Sequence, residues 1–123
     1  MSSRTERALI KACAVYEKAK ETYTNTHFEW VIASKAEYTS KAAFLKAETR
    51  ENRAALKNAE KLSYALYDLQ ARHAKEMIAL QMLAALKGRQ HEDFLDRKAW
   101  RDGATAQAEQ RRAEARGPKA SLN

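Results

Sequence analysis

The chain has 123 residues, a net charge of +7, 32% charged residues and only 8% aromatic ones, and much of its 45% hydrophobic content is Ala. That is enough for one domain but too poor in large apolar side chains for a big compact core, and three Gly with one Pro leave too little turn chemistry for a β-rich fold. The single cysteine, Cys13, excludes an intramolecular disulfide.

Ser3-Arg4-Thr5-Glu6 has the form of a capping box, so a first helix is expected from about Arg4. Leu9, Cys13, Tyr16 and Tyr23 fall on one heptad-like face of it, with Ala12 and Ala19 alongside. At Thr22-Tyr23-Thr24-Asn25-Thr26 four of five side chains compete for backbone hydrogen bonds. A turn is therefore expected near 23–26. A second capping box, Thr26-His27-Phe28-Glu29, opens the next helix.

That helix carries Phe28, Val31, Tyr38, Ala42, Leu45 and Leu56 at heptad-compatible spacing, interrupted by Lys35, Thr49 and Asn52. The segment 46–53 offers nothing large to bury and suits either an exposed part of one helix or a polar turn between two. The absence of Gly and Pro favours continuity. From 41 to 87 the chain is dominated by Ala, Leu, Lys, Glu, Arg, Gln and Met, the residues that lose least on entering a helix. An eleven-residue step links Phe44, Ala55, Leu66 and Met77, and its neighbour links Leu45, Leu56, Tyr67 and Ile78; such a step keeps an apolar face nearly straight.

The distal half, 62–86, carries two apolar stripes. Leu62, Leu66, Leu69, His73, Met77, Leu80 and Ala84 form one, while Tyr64, Tyr67, Ala71, Ile78, Met82 and Ala85 lie roughly opposite. A surface helix needs one stripe, so a helix with two has to be covered on both sides. The expected protein-interface residues are Leu62, Leu66, Leu69, His73, Met77, Ile78, Leu80 and Leu83.

Gly88 reads as the left-handed cap that ends the long helix. Beyond it a short amphipathic helix is expected over 90–101, broken by Gly103, then an Ala-rich segment 104–116 that is weakly structured when free. Gly117-Pro118 ends all helix and 119–123 reads as a tail. The chain thus divides into a helical domain, 1–88, and a docking arm with its tail, 89–123. Phe94, Leu95 and Trp100 would be the arm's apolar anchors, and Arg111, Arg112 and Arg116 would contact an acidic protein surface or nucleic acid.

No residue pattern supports catalysis, a metal or a cofactor. None of His27, His73 and His91 has Glu three residues before it, which removes the Glu-x-x-His pair of di-iron bundles. Cys13 has neither a base nor a Gly-rich anion-stabilising turn near it in sequence. The five Tyr fall at helical spacing and read as packing residues rather than base-stacking platforms; Trp100, between Lys98 and Arg101, reads as a partner anchor. The charge excess is spread along the chain with acidic residues interleaved, which argues against one concentrated nucleic-acid face. The N-terminus lacks the apolar core of a cleaved signal peptide, and the apolar run 77–86 is too short to span a bilayer.

The expected protein is all-α and elongated, a coiled-coil-like helical hairpin with one long helix within 27–87, a shorter N-terminal helix and the C-terminal arm. Its outline is similar in shape, though in no motif, to stalk proteins of secretion ATPases and to small internal or connector proteins of phage virions. The expected function is non-enzymatic: an assembly protein packing through helical faces as a homo-oligomer or in a multi-subunit complex, inside the cell or inside an assembly such as a virion. The alternative is a basic helical protein associated with nucleic acid.

Overall fold

A computed structural model describes residues 2–116 and contains two helices, α1 (Arg4–Lys46) and α2 (Arg50–Leu122, described through Arg116). They pack as one antiparallel hairpin. At 1.5 Å per residue, 43 residues make α1 about 65 Å long. Expectations for Gly117-Pro118 and the tail lie outside the described residues.

α1 starts where the sequence places it. Ser3 is the N-cap in extended backbone, and its Oγ accepts from the Glu6 amide at 3.1 Å. The helix does not turn at 23–26, and this is the main correction to the expected layout. Thr22, Thr24 and Thr26 donate their hydroxyls to the carbonyls of Lys18, Lys20 and Thr22, at 3.1, 2.9 and 3.0 Å. Three of the four competing side chains are satisfied within the helix, and the fourth, Asn25, is exposed, so the segment does not turn. Thr26 is buried in the seam between the helices rather than capping a new one.

The chain reverses instead at 47–49. Thr49 caps α2, its Oγ1 accepting from the Asn52 amide at 3.1 Å. Asn52 Nδ2 in turn donates to Ala47 O at 2.8 Å and reaches Ala43 O at 3.4 Å, a second donor to carbonyls that already accept from the Thr49 and Ala47 amides. The Arg53 guanidinium lies over the Phe44 ring, 5.7 Å from its centroid, and closes the turn. No described residue has a positive φ, so this connection needs no Gly.

α2 then continues through Gly88 and Gly103 without a cap. The expected helix end at Gly88, the break at Gly103 and the weak order beyond Gly88 are replaced by helix through Arg116.

The facing pairs share one register: Thr5 with His91, Leu9 with Gly88, His27 with Gln70, Trp30 with Tyr67, Phe44 with Arg53. The more buried positions of α1 step by four and three through Thr5, Leu9, Ala12, Tyr16, Ala19, Tyr23, Thr26, Trp30, Ala33, Glu37, Ser40 and Phe44. Those of α2 do the same through Asn52, Leu56, Ala59, Ser63, Leu66, Gln70, His73, Met77, Leu80, Ala84, Lys87, His91 and Phe94. This is a seven-residue seam, the repeat of a left-handed coiled coil, and not the expected eleven-residue one. The eleven-residue series starting at Phe44 crosses the turn, and its second member, Ala55, is exposed.

On α1 one half of the seam is small throughout: Thr5, Ala12, Ala19, Thr26, Ala33 and Ser40. Small residues let the two backbones approach closely, and the deepest positions are accordingly Ala12, Thr26, Ala33 and Ser63. Among the described residues no large side chain is fully buried.

Candidate interaction surfaces

The hairpin seam divides the expected interface set in two. Leu66, Leu69, His73, Met77 and Leu80 are half-buried on the side of α2 that meets α1. Leu62, Ile78 and Leu83 remain exposed, at 56%, 51% and 42%. One apolar stripe of 62–86 is therefore covered by the molecule itself. The other is left to solvent: Tyr64, Tyr67, Ala71, Ile78, Met82 and Ala85 are all exposed.

Two flanks of the hairpin follow from the seam's phase, because the positions next to a coiled-coil seam form a continuous surface on either side. On one flank α2 presents Tyr64, Tyr67, Ala71, Ala74, Ile78, Gln81, Ala85 and Gly88, a run without a single charge. α1 adds Val31, Tyr38 and Leu45 to the same side, and an open groove there is lined by Trp30, Val31, Ser34 and Tyr38. On the opposite flank lie Leu62, Leu69, Leu83 and Leu86 of α2 with Val15 and Ile32 of α1. The second flank also carries Lys18 and Glu76 between its apolar residues, and on each flank apolar side chains stay exposed.

Polar contacts join the two helices and fix their register. Thr5 Oγ1 and His91 Nδ1 are 3.0 Å apart, and His27 Nδ1 meets Gln70 Oε1 at 3.2 Å. His27 also stands among aromatic rings, 6.1 Å from Tyr23 and 5.8 Å from Trp30. His73 lines the groove between Val15, Lys18 and Leu80. Cys13 is exposed, at the edge of the seam rather than in it. Among the described residues no group of three or more His, Cys, Asp or Glu is placed to hold a metal ion, and no helix is long and apolar enough to cross a membrane.

The arm residues fall on either side of the point where α1 ends. Phe94 is half-buried and still belongs to the hairpin, its ring stacked with His91 at 6.2 Å. Leu95 is 46% and Trp100 76% exposed, and Arg111, Arg112 and Arg116 lie on a single helix with no partner strand of chain beside it. An open groove at the boundary is lined by Thr5, Asp93, Phe94, Asp96, Arg97, Trp100 and Arg101.

Sequence reasoning missed the exposed apolar residues of α1. Phe28, Tyr38 and Leu45 were expected to share a packed face; they are 62%, 75% and 68% exposed, and the seam runs instead through Trp30, Ala33 and Phe44. The available signal was the seven-residue recurrence of Ala12, Ala19, Thr26 and Ala33, which passes straight through the supposed turn. No family model, curated protein or solved structure matches the chain.

Proposed function

We propose that this protein is a non-enzymatic assembly component that packs through its helical flanks against other protein chains, as a homo-oligomer or in a multi-subunit complex. The observation that supports this is the shortage of core: among the described residues the buried apolar side chains are Ala12 and Ala33 alone, while Ile78, Met82, Tyr64 and Ile32 are more than half exposed. Two-stranded burial of this kind does little against the ordering entropy of two long helices, whereas a bundle would cover both flanks and add large side chains to the buried set. Contiguous exposed apolar surface rimmed by charge marks protein interaction sites.

The test is the solution mass of the wild-type chain against Ile78→Asp and Leu83→Asp, one on each flank. Both side chains are exposed, Ile78 at 51% and Leu83 at 42%, so helicity should stay while assembly is lost. Leu69→Asp and Leu80→Asp would lose assembly too, but they also touch the hairpin's own seam and do not separate the two effects. Retained assembly in both exposed-face variants would refute the proposal.

A further inference from the structure

α1 begins at Arg4, opposite the level of His91, so α2 runs on alone after Phe94. The described part of this overhang, 97–116, would be about 30 Å long. Its charges look mixed when read along the chain: Arg97, Lys98, Arg101, Arg111, Arg112 and Arg116 alternate with Asp102, Glu109 and Glu114. They are not mixed around the helix. At 100° per residue all six basic side chains fall within an arc of about 140°, and the three carboxylates fall outside it, Glu109 and Asp102 along one edge and Glu114 on the far side. The remaining members of that arc are Ala104, Thr105, Ala108 and Ala115. Asp93, four residues before Arg97, tempers the charge at the hairpin end. From Lys98 to Arg116 the stripe is cationic and exposed.

We infer that the overhang is a nucleic-acid-docking helix, which grips the phosphate backbone through Lys98, Arg101, Arg111, Arg112 and Arg116. This function is separate from the protein-packing flanks proposed above. Three features select this occupant. A protein interface is anchored by large side chains in its centre; Trp100, at the edge of the arc beside the hairpin end, is the one large apolar side chain of 97–116, and from 101 to 116 the neutral residues of the arc are only Ala and Thr. A helix that lies on a membrane needs bulky apolar residues behind its cations, and here the far side holds Ala99, Gly103, Ala106, Gln110 and Ala113. Phosphate backbone needs neither, since its attraction is supplied by cations alone, and a bare helix about 10 Å across is of a size that the ~12 Å major groove of duplex DNA admits. Continuity with α2 supplies the helical nucleus that an isolated segment of this length would lack.

The experiment is a salt titration of binding between the full-length protein and a 30-base-pair DNA duplex of mixed sequence. Two variants accompany it: Lys98, Arg101, Arg111, Arg112 and Arg116 all to Gln, and a charge-matched control with Lys11, Lys18, Lys20, Lys35 and Lys41 of α1 to Gln. Circular dichroism confirms that each stays helical. The wild type should bind with a log–log salt slope of about −4, as expected for four to five phosphates. The overhang variant should lose that slope and about 100-fold in affinity at 50 mM salt, while the control keeps the slope within one. Equal losses in both variants would reduce the effect to net charge and overturn the assignment. So would absent duplex binding at 50 mM salt, or absent duplex binding together with lost incorporation of the overhang variant into the native complex; the last result would give the stripe to an acidic protein surface.

Discussion

Thr5 and His91 stand 86 residues apart in sequence, and their side chains meet at 3.0 Å, closing the open end of the hairpin. The contact pins the register that the turn at 47–49 sets at the other end. A turn at 23–26 would have brought Thr5 opposite the neighbourhood of Phe44 instead. In a Cys13→Ser background, a short bismaleimide should therefore link Thr5→Cys to His91→Cys within one chain, and should fail to link Thr5→Cys to Phe44→Cys. Mass spectrometry of the digested product distinguishes the two, and efficient linkage of the second pair would refute the fold.

The turn rests on two side chains. Thr49→Ala removes the N-cap of α2 and should lower stability by about 1 kcal/mol. Asn52→Ala strips the donor to Ala47 O and should cost about 1 kcal/mol as well. Because the two side chains share one small network, the double variant is expected to lose less than the sum of the single losses. Urea unfolding monitored by circular dichroism gives all three values.

Ala33 is only 4% exposed, in a seam half built from small residues. Ala33→Leu should push the helices apart and cost about 1–3 kcal/mol. Ala14→Leu, on the exposed side of the same helix, should change stability by less than about 0.5 kcal/mol. Equal effects at the two positions would mean that the seam is not where the structure puts it.

Gly88 and Gly103 test the continuity of α2. A Cβ on Gly88 would lie 3.8 Å from Leu9 Cδ1, an ordinary contact, and one on Gly103 meets nothing within 4 Å. Neither residue has a positive φ. Gly88→Ala should raise stability by about 0.5–1 kcal/mol, and Gly103→Ala should raise the helical signal of the overhang. A loss of stability in Gly88→Ala would restore the reading of Gly88 as a left-handed cap.

The helical class, the start at Ser3 and the two apolar stripes of 62–86 were all legible in the sequence, because each rests on local propensity, capping or periodicity. The turn was not. Thr22, Thr24 and Thr26 carry the composition of a turn, yet each hydroxyl finds a carbonyl one helical turn back, and the seam then selects Thr26 for its small size. Thr49-Arg50-Glu51-Asn52 carries a quieter signal, a cap followed three residues later by an amide. Its effect depends on where the Asn52 side chain reaches, which spacing alone does not reveal. Gly88 misled in another way: as a cap it would need a left-handed backbone, and its φ is not positive, so it sits inside the helix opposite Leu9. The basic stripe of the overhang was hidden by counting charge along the chain rather than around it.

Native mass spectrometry of the purified wild-type chain at 100 µM protein, beside Ile78→Asp and Leu83→Asp, tests the assembly reading most directly. The chain weighs 14.0 kDa, and the account predicts wild-type species at multiples of that mass or bound to a co-purified protein, with both variants reduced to 14.0 kDa while still helical. A wild-type protein found only at 14.0 kDa that unfolds in one cooperative transition would contradict it, since such a hairpin would need no cover for its flanks.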